Sequence, residues 1–256
     1  MDRVVAWFCR LVFVFLYVPI VAVVVYSFNA SEVSYRFTGL TTHWYSDLFH
    51  DDRLLATLRT SIVVGVLAAL VATAIGFLTA FSLARFQVKG RAFFLGAILI
   101  PLIVPEIVIG VSLLEVFSSI GMQTGILTLV LGHIVITLPL ATLVQMGAMA
   151  ALDPSLSEAA TDLGATGWIT FRRVLFPLLR PSVLAAFLLS FTTSFSNIVI
   201  STFTSGVGST TLPLRIYSSL RTGLTPELNA LGTLLVLFTL VVIFLVGVRQ
   251  MRRILA

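Results

Sequence analysis

The chain has 256 residues, 58% of them hydrophobic and only 11% charged, with 16 Lys+Arg against 11 Asp+Glu and a formal net charge of +5. Water-soluble domains carry about 25% charged residues, so this composition excludes one or two soluble domains and requires a chain that lies largely in a bilayer. A single cysteine, Cys9, allows no internal disulfide, and no Cys/His cluster has zinc spacing, which argues against a soluble metalloenzyme.

The first apolar run predicts a helix over 4–28, with Arg3 and Arg10 at its start. It is longer than the apolar region of a cleaved signal, so it reads as a retained signal anchor and first crossing. Residues 30–59 carry Glu32, Arg36, Asp47, Asp51, Asp52 and Arg53 beside Tyr35, Trp44 and Tyr45, the pattern of an amphipathic loop at the membrane surface. Helix two is predicted over 60–84 and stops at Arg85, Lys89 and Arg91. Helix three, 92–117, is interrupted by Pro101, Pro105, Glu106 and Glu115. The interval 116–152 is too long for one crossing, and Gly121 with Gly125 separates a short connection from helix four, 126–150. A polar segment, 153–181, leads to helix five over 182–203. A Gly/Ser/Thr-rich loop, 204–211, then precedes helix six over 228–248. Re-entrant backbone within 204–224 is compatible with a transporter, where broken helix can line a polar cavity.

Charge tests this six-helix map independently of hydropathy. With both termini cytoplasmic, the inner segments hold Arg3, Arg10, Arg85, Lys89, Arg91, Arg172, Arg173, Arg180, Arg249, Arg252 and Arg253, while only Arg36, Arg53, Arg59, Arg215 and Arg221 lie outside. That asymmetry is the positive-inside bias, so the net charge reflects orientation and contact with anionic lipid rather than nucleic-acid binding.

The most informative inner segment runs Asp153-Pro154-Ser155-Leu156-Ser157-Glu158-Ala159-Ala160-Thr161-Asp162-Leu163-Gly164. Asp153 can cap a helix, and Pro154 suits its first position. The acidic side chains can answer basic groups on a partner, the alanines permit close packing, and Gly164 permits a turn. A second amphipathic piece, 168–179, follows, with Pro177 and Pro181 marking the return into helix five. By physics alone, a capped surface helix that merely links two spans accounts for this segment equally well.

The order of residues decides between these readings. Glu158-Ala159-Ala160, three residues, Gly164, nine residues and Val174-Leu175-Phe176-Pro177 resembles the EAA loop of ABC-importer permeases, with Val174 and Phe176 in place of the usual Ile and Leu. The resemblance implies an all-α polytopic protein of the type I ABC-importer permease (MetI-like) fold, 1–256 being one permease domain. It also implies a coupling helix between helices four and five that docks on a cytoplasmic ATPase through Glu158, Ala159, Ala160, Asp162, Gly164 and Pro177. Such permeases work in pairs above two ATPase subunits and receive substrate from an extracytoplasmic binding protein at the bacterial inner membrane. The chain has no Gly-x-x-x-x-Gly-Lys-Ser/Thr cradle, so ATP and Mg2+ are expected on the partner ATPase. No catalytic, cofactor-binding or metal-ligating residue is expected here.

Within that family, Ser27-Phe28-Asn29, Thr42-His43-Trp44-Tyr45, the basic loop 85–91, Leu212-Pro213-Leu214-Arg215 and Pro226-Glu227-Leu228-Asn229 resemble permeases of the spermidine/putrescine class. Such systems commonly use two permeases, which implies a distinct, similar second chain. The class characteristically carries paired aspartates where this chain has Ser196 and Asn197. Neutral hydroxyl and amide groups can orient an ammonium but lack the long-range attraction of two carboxylates.

Glu106 is the first acidic group expected inside the membrane. It lies about 20 Å along a helix begun at Ala92, within a hydrocarbon layer of about 30 Å, and should face a polar cavity or a partner. Pro101 and Pro105 could free carbonyl groups near it to receive an ammonium. Glu115, about 13 Å further along and on the opposite face, suits a salt bridge at the rim better than direct substrate contact. His133 and Gln145 flank Pro139, and His133 reads as a packed, hydrogen-bonded side chain rather than a proton relay. The candidate substrate path is therefore Glu106, Ser196 and Asn197, with Glu115 as a weaker member. Polyamine or a related amine leads as substrate, with a less cationic amine, an amino-acid derivative or an opine-like solute as the alternative. A proton-coupled carrier and a membrane scaffold are the readings from other classes.

Overall fold

The computed structural model describes residues 2–31, 36–86, 88–220, 226–237 and 240–241, and the described residues are helical apart from turns and one isolated bridge between Asn29 and Leu40. In chain order the helices are α1 (Asp2–Tyr26), α2 (His43–His50), α3 (Asp52–Arg85), α4 (Arg91–Ile103), α5 (Glu106–Ser119), α6 (Ile126–Ala150) and α7 (Ser155–Asp162). They continue with α8 (Gly167–Phe195), α9 (Val199–Thr204), α10 (Leu212–Leu220) and α11 (Pro226–Leu237). The spans α1, α3, α6 and α8 are each long and apolar enough to cross a membrane, and the α4–α5 pair would add a fifth. The chain forms two compact units, Met1–Leu55 with Ile216–Ala256, and Ala56–Arg215.

In the first unit, α1 is exposed from Val4 to Val18 and, apart from Arg10, apolar on all sides there, as expected where hydrocarbon is the solvent. Its far end is tied by hydrogen bonds. The side chain of Asn29, fully buried, donates to the Arg36 carbonyl at 2.7 Å and accepts from the Thr38 N–H at 3.1 Å, while the Trp44 indole donates to the Asn29 carbonyl at 2.7 Å. Ser27 and Tyr45 share a 2.7 Å hydroxyl contact. Two separated signatures, Ser27-Phe28-Asn29 and Trp44-Tyr45, thus form one knot.

The second unit is organised on small residues. Ala72, Ala141 and Ala186, all fully buried, bring α3, α6 and α8 together, and the Gln145 amide crosses from α6 to the Thr73 carbonyl on α3 at 3.0 Å. Lipid offers no hydrophobic drive between helices, so close backbone approach and interhelical hydrogen bonds hold such crossings.

Three expected boundaries are corrected. Helix two begins at Asp52 rather than 60, because Asp51 Oδ1 accepts from the N–H groups of Arg53 and Leu54 at 2.9 and 3.1 Å and so caps the helix within the expected surface loop. Helix three is two helices, α4 and α5, bent by 107°. Pro105 has no N–H and forces Val104 into an extended conformation, φ −72° and ψ 134°, so the helix cannot continue and the straight-helix depth of Glu106 does not apply. Helix five starts at Gly167, not 182, and stops at Phe195, with Ser196–Ile198 separating it from α9. The segment 168–179 is the first part of that rod. A π turn at Phe171–Leu175 shifts the bonding register, the Phe176 N–H reaching back to the Phe171 carbonyl, so that Pro177 falls in the first turn of renewed α-helix where its missing donor does little harm. Of the expected helix six, the part beyond 237 lies outside the described residues except 240–241.

Candidate translocation and coupling sites

Two broken helices meet at one polar junction. Glu106 is the first residue of α5, immediately after the 107° bend, and Asn197 lies in the gap between α8 and α9. The Asn197 amide nitrogen donates to Glu106 Oε1, and its amide oxygen accepts from the Ile200 N–H at 2.8 Å, closing the first turn of α9. The amide is thereby fixed at both ends. Glu106 is half-buried, and among the described residues no other hydrogen bond or ion pair meets its carboxylate, which leaves acceptor capacity facing the junction.

The other expected path residues are not gathered there. The hydroxyl of Ser196 turns back to the Thr192 carbonyl at 2.9 Å, and the residue is exposed. Glu115 lies on α5 with its side chain exposed, nine residues beyond Glu106, so no two-carboxylate clamp forms between them. Sequence reasoning missed Ser194 and Ser201 as partners of His133, which is 1% exposed: the ring Nδ1 lies 2.6 Å from Ser194 Oγ and Nε2 lies 3.1 Å from Ser201 Oγ. Small residues let these elements close. A methyl on Gly132 would stand 2.7 Å from Ile200 Cγ2, and one on Gly110 would enter the Phe203 ring, so α9 is wedged between α5 and α6.

At the opposite kind of surface, α7 is a short, well-capped helix. Asp153 Oδ1 accepts from the Ser155 N–H at 2.9 Å; that backbone bond, and then the Ser155 hydroxyl, hold the Asp153 carboxyl below the usual carboxylate range. The helix ends on Gly164 at φ +78°, where the Gly164 N–H bonds the Thr161 carbonyl at 2.8 Å and the Ala165 N–H bonds the Ala160 carbonyl at 3.0 Å. This paired closure requires the left-handed conformation that glycine adopts without strain. Ala160 is buried, whereas Ala159, Glu158 and Asp162 are exposed and Leu163 is 89% exposed. Glu158 and Asp162 share a cleft of about 350 Å³ with Arg85 from the end of α3, a basic neighbour that the motif alone did not reveal. Phe171 joins the start of α8 to α3 through Phe81, with ring centres 5.2 Å apart. Pro177 lies within α8, adjoining this aromatic contact.

Among the described residues no group of His, Cys, Asp or Glu side chains could hold a metal ion. Residues 72–254 match the model of the family described as binding-protein-dependent transport system inner membrane component. The chain is 38% identical over 236 residues to the spermidine/putrescine transport system permease protein PotC of Escherichia coli strain K12, covering 92% of this chain and 89% of that one. It is 36% identical over 230 residues to the putrescine transport system permease protein PotI of the same strain, covering 87% and 82%. Among solved structures, a bacterial ABC transporter involved in the import of the acidic polysaccharide alginate superimposes with a TM-score of 0.68 at 16% identity, covering 97% of this chain and 95% of that one. The MetNI methionine ABC transporter in its inward-facing form gives 0.62 at 18% identity, covering 84% and 99%. These two likenesses are of fold.

Proposed function

Because this chain belongs to the family of binding-protein-dependent transport system inner membrane components, we propose that it is one permease of an ATP-driven importer of polyamines such as spermidine or putrescine, with Glu106 and Asn197 in the substrate path. The observation that carries the site is the junction itself: one carboxylate, held by one amide, where two helices are interrupted inside an apolar chain. An intramembrane acid is retained where it faces a path or a partner, and broken helices supply the polar backbone that such a path needs. An ammonium group meeting the free lone pairs of Glu106 would exchange hydration for a charge-assisted hydrogen bond.

The remaining parts of the proposal follow the family. Six crossings with both termini cytoplasmic remain the reading: four long spans and the bent α4–α5 pair give up to five among the described residues, and the shorter apolar helix α11 would belong to the sixth. In that arrangement α7 is the coupling helix, offering Glu158, Ala159 and Asp162 to one of two ATPase subunits, while Gly164 fixes its exit and Pro177 lies within α8, just past the π turn. A distinct second permease completes the path, an extracytoplasmic binding protein delivers the solute, and ATP with Mg2+ is used on the ATPases. Closure of those ATPases displaces α7, and the rod α8 carries the movement to the gap beside Asn197.

A second substrate reading has its own observation. Ser196 is turned onto its own helix and Asn197 is neutral, so the junction offers a single carboxylate, which suits an amine of lower charge or an amino-acid derivative such as an opine. Uptake by the reconstituted complex, loaded in turn with polyamines, amino acids and opines through its binding protein, separates the two. Polyamine-stimulated ATP hydrolysis and uptake, falling about 10- to 100-fold in Glu106→Gln, is the expected result. Full activity in Glu106→Gln would remove the carboxylate from the path.

A further inference from the structure

The break between α8 and α9 is bridged by one side chain from a third helix. His133 on α6 reaches Ser194 in the last turn of α8 with Nδ1 and Ser201 in the first turn of α9 with Nε2, at 2.6 and 3.1 Å. The two serines lie on either side of Ser196–Ile198, so the imidazole spans the gap from which Asn197 reaches Glu106.

One placement of protons satisfies all of these contacts together. Ser201 has one hydroxyl proton, and it is given to the Asn197 carbonyl at 3.0 Å. Ser201 Oγ can therefore only accept from the ring, which places the imidazole proton on Nε2. Nδ1 is then the acceptor, and the Ser194 hydroxyl donates to it. The series Ser194 to His133 to Ser201 to the Asn197 carbonyl has one orientation throughout, and ends on the residue whose side chain holds Glu106. The ring is held by its burial, at 1% exposed, and by the contacts at both of its nitrogens.

We propose that His133 is a positioning residue for the translocation site: acting as a splint in its Nε2–H form, it sets the angle between α8 and α9 and so aims the Asn197 amide at Glu106. This rests on the reading that Glu106 and Asn197 face the substrate. His133 does not itself meet the solute. Its partners are hydroxyls on both sides of a helix gap, whereas a proton relay would need a titrating neighbour, and a residue present only for packing would need no hydrogen bond across the gap.

The test is a double-mutant cycle on uptake by the complete reconstituted transporter, with membrane insertion and co-purification with the ATPases checked for every variant. His133→Leu should lower uptake about three- to tenfold, the loss expected for an ordinary buried hydrogen bond or two. His133→Gln, which keeps a donor and an acceptor, should recover part of that loss. In an Asn197→Ala background the effect of His133→Leu should vanish, because nothing remains to be aimed. If Asn197→Ala impairs uptake and His133→Leu still subtracts its full effect, the splint is overturned while the substrate site stands. If Asn197→Ala imports normally, the reading of the site fails first. Independently of transport, side-chain ¹⁵N spectra of the wild-type chain, assigned by the signal lost in His133→Gln, should show the Nε2–H form; an Nδ1–H or doubly protonated ring would overturn the proposal.

Discussion

A methyl group added at Gly76 should separate two helices that the fold keeps in backbone contact. The Cβ would stand 2.9 Å from the Thr142 nitrogen, 3.1 Å from the Ala141 carbonyl carbon and 3.2 Å from Ala141 Cβ. Backbone atoms cannot rotate aside, so α3 and α6 must part by about 0.5–1 Å, a gap that forfeits a quarter to a half of each affected dispersion contact. Overpacking of this kind costs about 1–3 kcal/mol, and the rigid neighbours place Gly76→Ala in the upper part of that range. The gain in helix propensity returns about 0.5–1 kcal/mol, leaving a net loss of about 1–2 kcal/mol. For a chain of this size that is a fall of about 2–8 °C in the midpoint of thermal unfolding in detergent, followed by circular dichroism. Gly147→Ala on α6 is the control, because its Cβ would meet nothing within 4 Å and only the propensity gain remains. Adding Ala141→Gly to Gly76→Ala removes the contact at 3.2 Å but neither backbone contact, so it should restore little. A Gly76→Ala protein that melts with wild type, or one fully rescued by Ala141→Gly, would refute the claim that backbone approach sets this crossing.

Glu158→Lys reverses the charge on an exposed position of α7 and should leave membrane insertion intact while abolishing co-purification with the ATPase; unchanged association would remove α7 from the docking surface. Gly164→Ala puts a side chain at φ +78°, a strain of about 1–2 kcal/mol, whereas Gly164→Asn should be milder, and hydrogen exchange at the Gly164 and Ala165 amides should rise least for Asn and most for Ala. Asp153 has its carboxyl held low by the Ser155 N–H, so its contribution to capping is complete above the ordinary Asp range and is lost as pH falls through the lowered folded value. Exchange at the Ser155 amide should accelerate only on that acid side in wild type, and should be fast and free of that acid step in Asp153→Ala.

The segment 153–164 was largely legible because its signals are local. A cap residue, a proline at the first helical position and a glycine at the end act within one or two turns, and α7 ends on the Gly164 closure that a helix-terminating glycine leads one to expect. Helix four was equally plain, since an apolar run bounded by Gly125 needs no outside partner to begin. The start of helix five was not legible. Pro177 reads as a boundary only if the preceding backbone keeps α register, and the π turn at Phe171–Leu175 removes that condition, while Pro181 is carried inside the helix. Nothing in the composition of Phe171-Arg172-Arg173-Val174-Leu175 announces a π turn; the edge-on contact of Phe171 with Phe81 of α3 belongs to tertiary packing.

The junction of Glu106 with Asn197 depends on a helix break that residue order does not announce. Ser196 and Asn197 read together as neutral substitutes for an acidic pair, yet in the gap after α8 their side chains go separate ways. Ser196 keeps helical geometry and spends its hydroxyl on Thr192, four residues back, as serine does when no better acceptor competes. Asn197, one residue later, is beyond the helix, and its amide can cap α9 with the oxygen while the nitrogen crosses to Glu106. Asparagine can do both because it carries donor and acceptor on one planar group; an aspartate here would keep the cap but set a second negative charge against Glu106, which an apolar surrounding would penalise unless a cation lay between them. Asn197→Asp should therefore bind a doubly charged amine more tightly and weaken binding of a singly charged one, a contrast that competition uptake with the two amines would read directly. The amide at position 197 is accordingly matched to a junction with one carboxylate, and the same helix break that hid this arrangement in the sequence is what makes the pairing geometrically possible.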